Sequence, residues 1–276
     1  MGRKGERLMI QEFFKPQTIA EAVELKEKLK DKAVFMAGGT DVNCPDSKYE
    51  IEKAIGIEQL ELNEISKTRS ELSIGAGVTI QELIDSPKIP DPLKTAARHF
   101  VNRNIRNIAT IGGNIASNNS TSNLIPILVA LDAELKIGGS ATPVPVYEYI
   151  AQEMTRLIEA IIISSESLAK KYGLRKFSRA ANDISIITAA VTFNIQNEKL
   201  SNVRVAVGGV SPHVVRLAPL ENKLEGNKLI APAEIEDTVK NIVTPAQDIR
   251  GGFQFKKYMA GVLVSDCMHN AYGGRN

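Results

Sequence analysis

The chain has 276 residues, of which 43% are hydrophobic and 24% charged, with a formal net charge of +2. Those fractions belong to a folded globular protein rather than a disordered one. The near balance of 34 basic against 32 acidic residues gives no electrostatic basis for binding nucleic acid. The longest apolar runs, such as Leu124–Leu131 and Ala160–Ile163, fall far short of the roughly 20 residues that cross a bilayer, so no membrane role is expected. Two cysteines, Cys44 and Cys267, and three histidines, His99, His213 and His269, are too few for a cysteine-ligated iron–sulfur cluster and a poor supply for structural zinc. The start, Met1–Leu8, is charged and lacks the apolar core of a secretory signal. With two thiols that form no Cys-x-x-Cys pair, a cytoplasmic location is expected. The length suits about two domains.

In chain order, Met1–Leu8 is expected to be a dispensable extension and Met9–Phe14 a first strand. Thr18-Ile-Ala-Glu21 has the spacing of a capping box and opens a helix over Ile19–Leu29. Lys30–Lys32 is a polar turn, and Ala33–Ala37 a short strand running into Gly38-Gly39. Ala54–Ile57 and Glu71–Ala76 read as strands, and Thr79 with Glu82 starts a short helix. Pro87, Pro90 and Pro92 mark an irregular link before a helix over Leu93–Phe100. Asn102–Asn123 reads as a long polar loop, Leu124–Leu131 as a buried helix and Ala133–Ile137 as a strand. A second unit begins near Leu157 with a strand to Ser164, followed by a polar break at Lys170–Gly173. Ile184–Ile195 is expected to be a helix followed by a strand, Ala190–Ile195, and Val203–Val207 another strand. Asp237–Ile242 and Tyr258–Tyr272 read as helices.

Two segments could carry chemistry. In Val34-Phe-Met-Ala-Gly-Gly-Thr-Asp41 the paired glycines let the backbone turn tightly and expose amide N–H groups to an anion. The same pair would also serve a plain strand–turn. Arg103–Asn123 combines Gly112-Gly113 with a dense set of Asn, Ser and Thr side chains ahead of an apolar helix. That mixture suits a phosphate-rich ligand held by neutral donors, and it equally describes a polar surface loop. Neither Gly-x-Gly-x-x-Gly, nor a P-loop, nor a Gly-x-Ser-x-Gly elbow occurs.

Taken together, Ala37-Gly-Gly-Thr-Asp41 and Ile105-Arg-Asn-Ile-Ala-Thr-Ile-Gly-Gly-Asn-Ile-Ala116 resemble the two flavin-binding segments of the FAD subunit of molybdenum hydroxylases, the xanthine dehydrogenase and carbon monoxide dehydrogenase family. The resemblance continues through Leu124–Glu134 and reaches Arg175-Lys-Phe-Ser-Arg-Ala-Ala-Asn-Asp-Ile184. It implies an α+β fold: a two-lobed FAD-binding domain of the vanillyl-alcohol oxidase (PCMH) type over residues 9–165, with lobes at about 9–60 and 61–165, and a small C-terminal α+β domain with an antiparallel sheet over 170–276.

The resemblance also implies a site. Val34, Phe35, Met36, Ala37, Gly38, Gly39, Thr40 and Asp41 would wrap the FAD pyrophosphate. Thr110, Ile111, Gly112, Gly113 and Asn114 would form the facing loop, with Ser117 donating nearby. Phe100 would lie beside the adenine or flavin, and Lys176, or Arg175 one residue earlier, near the flavin end. Asn123 stands where many members have an aspartate; it can donate and accept hydrogen bonds but supplies no charge. Val42–Lys48 lacks the leucine-rich basic run that often follows the first loop.

The implied activity is electron transfer. Partners hold the molybdenum cofactor and two iron–sulfur clusters, and electrons pass through FAD to NAD or another acceptor. No residue of this chain is expected to act as acid or base, and Asp132 and Asp183 read as structural carboxylates. Two other readings remain: a free-standing flavin oxidoreductase acting directly on a small substrate, and a member that has lost FAD and serves as a structural partner.

Overall fold

A computed structural model describes residues 10–44, 52–100, 102–181 and 183–274. The expected extension at Met1–Leu8, the start of the first strand at Met9 and most of the run Val42–Lys48 lie outside those residues. Helix accounts for 37% and strand for 26% of the fold, which is α+β.

The chain begins with β1 (Glu12–Phe14), α1 (Ile19–Leu29), a single 3-10 turn and β2 (Ala33–Met36), then β3 (Lys53–Gly56). These make a small parallel sheet in the order β1-β3-β2. Thr18 caps α1 by accepting from the Glu21 amide, while Glu21 reaches back to the Gln17 amide at 2.8 Å. Ala22, Ala33, Ile55, Ile57 and Leu60 form the core here, joined by Leu157 from far along the chain.

The middle region holds β4 (Ile65–Lys67), β5 (Glu71–Gly75), α2 (Ile80–Asp85), α3 (Asp91–Arg98), α4 (Arg103–Arg106), α5 (Ile111–Ser117) and α6 (Ile125–Ala130). It continues with β6 (Glu134–Ile137), β7 (Val144–Pro145), α7 (Val146–Ala151), β8 (Ile158–Ser164) and α8 (Ser165–Ala169). Its strands form an antiparallel sheet in the order β4-β5-β8-β6-β7. Thr79 and Glu82 make the reciprocal capping box of α2. The expected long loop at Asn102–Asn123 is not a loop throughout. Asn102 caps α4 and Thr110 caps α5, each accepting from the amide three residues on. Asn, Ser and Thr are helix-capping residues as well as loop residues, and composition alone could not separate the two uses.

The C-terminal region contains β9 (Lys171–Phe177), β10 (Ile187–Gln196), β11 (Lys199–Gly208), β12 (Val215–Arg216), α9 (Ala218–Leu224), α10 (Pro232–Ile242) and α11 (Phe253–Tyr272). Its antiparallel sheet has the order β12-β11-β10-β9. Two expectations are corrected here. Residues 187–196 are strand throughout, with no helix preceding Ala190, and the expected polar break at Lys170–Gly173 is the start of β9. The reason is burial on both faces. Val191, Phe193, Val205 and Val207 pack with α9, α10 and α11, whereas Leu174, Ala190 and Ala206 join the core of the middle region. A strand covered on both sides loses the alternation that marks a half-buried one.

The contact between these regions runs through α6, which packs on β10 and β11. There Thr192 Oγ1 donates to the Ala130 carbonyl at 2.5 Å. Asp132, just beyond α6, accepts from Lys170 Nζ at 3.2 Å and Arg204 Nε at 2.6 Å. It is thus structural, as expected. The Lys170 side chain is only 5% exposed, so losing the carboxylate leaves a buried ammonium uncompensated. Asp132→Asn keeps the size and the tolerance for the residue's positive φ of 50°. It should cost about 2 kcal/mol in urea unfolding at pH 7; an unchanged midpoint would contradict this account of the junction.

Candidate functional site

A cleft of about 480 Å³ opens between the first strand–turn, the start of α5 and the beginning of β8. That volume is within the usual range for small-molecule sites. Its first wall begins where β2 ends, held by the Ile57 amide on the Met36 carbonyl at 3.1 Å. The chain then turns at Gly38 and Gly39. Gly39 has φ +67°, a conformation costly for other residues. A Cβ at Gly38 would overlap the Ile108 carbonyl, because the turn lies directly against the α4–α5 connection. Among the described residues, the N–H groups of Gly38, Gly39 and Thr40 have no acceptor, and all three residues line the cleft. Successive unengaged backbone N–H groups at a turn are a ready cradle for an anion.

The opposite wall works differently. The first amides of α5 are already engaged: Ile111 donates to the Val78 carbonyl at 2.9 Å, Gly112 to the Ala76 carbonyl at 3.0 Å and Gly113 to Thr110 Oγ1 at 3.0 Å. What this wall can offer is side chains. Thr110 Oγ1, accepting from Gly113, retains its own proton to donate. Asn114 Oδ1 accepts from Ser122 Oγ at 2.7 Å, which leaves its Nδ2 group as donor. The two glycines also differ. A Cβ at Gly112 would lie 2.5 Å from Ala76 Cβ, inside the protein, whereas one at exposed Gly113 would meet only Thr110 Oγ1, at 3.0 Å.

Asn123 closes one end. It is buried and lines the cleft, donating from Nδ2 to the His99 carbonyl at 3.1 Å and accepting from Ser185 Oγ at 2.6 Å. An aspartate there could accept from Ser185 but could not donate to His99. Phe100 also lines this end, its carbonyl held by Arg106 Nη1 at 3.1 Å. Arg106 further binds Gln81 Oε1 at 3.0 Å, which makes it a brace for the wall. Burial first, then Lys176 and Arg175, holds the His99 pKa below its ordinary value.

Of the expected residues, Val34 to Asp41, Phe100, Thr110, Gly112, Gly113, Asn114, Ser117 and Asn123 all line this one cleft. Ile111 and Lys176 do not. Ile111 is fully buried in the core. Lys176 Nζ donates to the carbonyls of His99 at 3.2 Å, Ala181 at 3.2 Å and Asp183 at 2.6 Å. Burial lowers its pKa, with Asp183 opposing the shift. Its alternate, Arg175, donates to the Leu174 carbonyl at 2.9 Å. The sequence reading missed the cleft's third side, made by Tyr149, Thr155, Arg156, Leu157 and Ile158. These residues form no motif, and only the pairing of β8 between β5 and β6 brings them round. A smaller cavity of about 280 Å³ adjoins this side and shares Lys26, Asp31, Phe35, Thr155, Arg156 and Leu157 with the cleft.

The profile described as the FAD binding domain in molybdopterin dehydrogenase matches residues 8–165. The chain belongs to this family. A second profile, the CO dehydrogenase flavoprotein C-terminal domain, matches residues 172–271. The uncharacterized protein YgfM of Escherichia coli (strain K12) is 36% identical over 259 residues, covering 94% of this chain and 95% of YgfM. The carbon monoxide dehydrogenase medium chain of Hydrogenophaga pseudoflava is 26% identical over 279 residues, covering 95% and 96%. The solved structure of carbon monoxide dehydrogenase from that organism, lacking the Mo-pyranopterin moiety of its cofactor, superposes with a TM-score of 0.88 at 26% identity, covering 97% of this chain and 99% of that one. FAD is the cofactor of the family, and the fold is that of its PCMH-type FAD-binding domain with the antiparallel C-terminal domain.

The residues present suit that cofactor. A dinucleotide's pyrophosphate needs anion-binding donors, and the open N–H row at Gly38–Thr40 lines the cleft opposite the hydroxyl and carboxamide donors of Thr110 and Asn114. The two glycines of α5 allow a separation of folding from binding. Gly113→Leu should leave the melting temperature within a few degrees, since leucine is a good helix former, yet reduce FAD retention at least tenfold by occupying the cleft. Gly112→Ala should destabilise by about 1–3 kcal/mol through overpacking against Ala76. Equal FAD content in the Gly113→Leu protein and the parent would refute the placement of α5 at the cofactor.

Proposed function

We propose that this chain is the FAD-binding electron-transfer subunit of a xanthine dehydrogenase-like molybdenum hydroxylase complex. In this reading it works beside an iron–sulfur subunit and a molybdopterin subunit in the cytoplasm, and NAD or another acceptor takes the electrons. Bound FAD supplies the redox chemistry; the residues of this chain bind, orient and shield it. The observation that carries the reading is the two-walled cleft, with open backbone amides on one side and hydroxyl and carboxamide donors on the other.

The residue roles follow from that geometry. Gly38, Gly39 and Thr40 donate backbone N–H groups to the pyrophosphate, and Val34 to Ala37 and Asp41 complete that wall. Thr110, Gly113 and Asn114 face it from α5, with Ser117 behind them, its hydroxyl 3.1 Å from the Asn114 carbonyl. Gly112 and Ile111 act indirectly, by seating α5 on Ala76 and Val78. Phe100 and Asn123 shape the end where Ile184 and Ser185 meet the cleft. Lys176, near the flavin end, holds the backbone there through the carbonyls of His99 and Asp183. Among the described residues, no helix is long and apolar enough to cross a membrane, and no group of three or more His, Cys, Asp and Glu side chains is placed to hold a metal ion. Relatives support the assembly: those named above include a medium chain of carbon monoxide dehydrogenase, and a nicotine 6-hydroxylase medium subunit from Paenarthrobacter nicotinovorans is 24% identical over 271 residues.

The purified chain should show flavin absorption at close to one FAD per polypeptide and be bleached by dithionite. Candidate hydroxylase substrates, such as a purine or an aldehyde, should bleach it only when iron–sulfur and molybdopterin subunits are present. Bleaching of the isolated chain by such a substrate would favour a free-standing oxidoreductase, and a colourless protein that takes up no FAD would sink both readings.

A further inference from the structure

The wall that carries Asn123 rests on the C-terminal region. Between α5 and α6, Asn119, Thr121, Ser122 and Asn123 line the cleft, whereas Ser120 does not. The Ser120 carbonyl meets the end of β11 instead, where a Cβ at Gly208 would lie 2.5 Å from its oxygen. The next residue repeats the arrangement. Gly209 has φ +84°, and a Cβ there would overlap the Ile186 carbonyl. Ile186 directly follows Ile184 and Ser185, which line the same end of the cleft. Two consecutive glycines thus seat the two segments that the Ser185 hydroxyl joins, donating to Asn123 Oδ1 at 2.6 Å.

The sequence of β11 leads up to this contact. Alternate residues of a strand share a face. Val203, Val205 and Val207 pack into the core with the C-terminal helices, so Arg204, Ala206 and Gly208 face the other way. Arg204 reaches Asp132 beyond α6, Ala206 joins the core of the middle region, and Gly208 meets Ser120. The side chains on this face shorten along the strand, and β11 comes closest to the middle region where it has none.

The seated segment has little slack. Ser122 Oγ donates to Asn114 Oδ1 at 2.7 Å and accepts from the Leu124 and Ile125 amides at 3.2 and 3.1 Å. Asn123 is fixed by His99 and Ser185. A carbon–oxygen contact ordinarily starts near about 3.3 Å, so a methyl group at Gly208, 2.5 Å from the Ser120 oxygen, would push that carbonyl away by roughly 0.8 Å. Passed along the chain, such a shift takes the Ser122 and Asn123 hydroxyl bonds beyond the usual limit of about 3.0 Å or turns the side chains aside.

We propose that Gly208 is a positioning residue for the flavin. Through this glycine seat the C-terminal sheet sets how far residues 119–123 stand into the cleft, and with that the placement of Asn123 and Ser185 beside the ring. Gly208 itself touches no cofactor; it acts through the Ser120 carbonyl. The inference deepens the electron-transfer reading and rests on its placing the flavin at this end of the cleft. It gives the C-terminal domain, matched by its own profile over residues 172–271, a hold on the cofactor's surroundings from outside the FAD-binding domain.

The test uses the full chain, with FAD bound and after its removal. In Gly208→Ala the FAD dissociation constant should rise about tenfold or more, the worth of one lost hydrogen bond, and the visible circular dichroism of the flavin still bound should change in band shape. In the FAD-free protein, amide exchange should quicken at residues 119–125 while the β10–β11 ladder keeps its protection. Val207→Ala, one residue earlier and on the opposite face, removes core methyl groups. It should lower the melting temperature at least as much, yet leave the flavin dichroism and the exchange of residues 119–125 at parent values. Ser185→Ala should reproduce the dichroism change, and joined to Gly208→Ala it should add less than the sum of the two single effects. Should Gly208→Ala not fold, Ser185→Ala decides: unchanged dichroism overturns the seat. Equal flavin changes in Val207→Ala would reduce the effect to lost stability, and weaker binding with unaltered dichroism would put the seat at the nucleotide end. Either result overturns the proposal, as does a Gly208→Ala protein indistinguishable from the parent, and all three leave the electron-transfer reading standing. A parent chain that takes up no FAD would instead end that reading, and the inference with it.

Discussion

The site depends on two places where backbone meets backbone or methyl with no side chain between them. At Gly38 the first turn lies against the carbonyl of Ile108, and at Gly112 the start of α5 lies against Ala76. These contacts draw the small parallel sheet, the middle sheet and α5 to one cleft. They also dictate how each wall can bind. The turn at Gly38–Gly39 leaves a strand without continuing it, so among the described residues its amides have no ladder partner and stand open. α5 starts against the Ala76–Val78 segment, so its first amides are taken by the carbonyls of Ala76 and Val78. The cleft therefore pairs a wall of main-chain donors with a wall of side-chain donors, although both walls carry a Gly-Gly pair.

That asymmetry bears on how much could be read before the fold was seen. Both glycine pairs stand out in the sequence, and the elements with regular local signals were legible: the Thr18 and Thr79 caps, the apolar helix at Leu124–Leu131, the strand at Leu157–Ser164. The family resemblance then carried the fold, which alternating short elements alone would not have done. What local pattern could not reveal was what each glycine is for. Gly38 and Gly112 answer to protein atoms, and Gly113 to open space. A glycine's reason lies in its neighbours across the fold, and those neighbours are about 70 and 36 positions away. The same limit hid Arg156–Ile158, which the sheet order alone brings to the cleft, and it turned the start of β10, ahead of Ala190, into an expected helix because its burial is two-sided.

The scarcity of cysteine and histidine fits this architecture. A cleft that uses backbone amides, hydroxyls and carboxamides needs no titrating group to hold a dianionic pyrophosphate near neutral pH. The chain's two thiols are free, Cys44 half-buried and Cys267 on the buried face of α11, where desolvation pushes the Cys267 thiol up to about 12. A thiol so placed stays protonated and unreactive at physiological pH.

Lys176, at the end of β9, ties segments together at one end of the cleft. Its ammonium gathers three carbonyls, from the end of α3 and from both sides of the connection that leads to Ile184 and Ser185. Asn123 fastens the same two segments from within the cleft, through His99 and Ser185. Here asparagine does what aspartate cannot, because the His99 carbonyl requires a donor. With the neutral clamp inside and the cation outside, the segment that borders the cleft is tied from both sides to the end of α3.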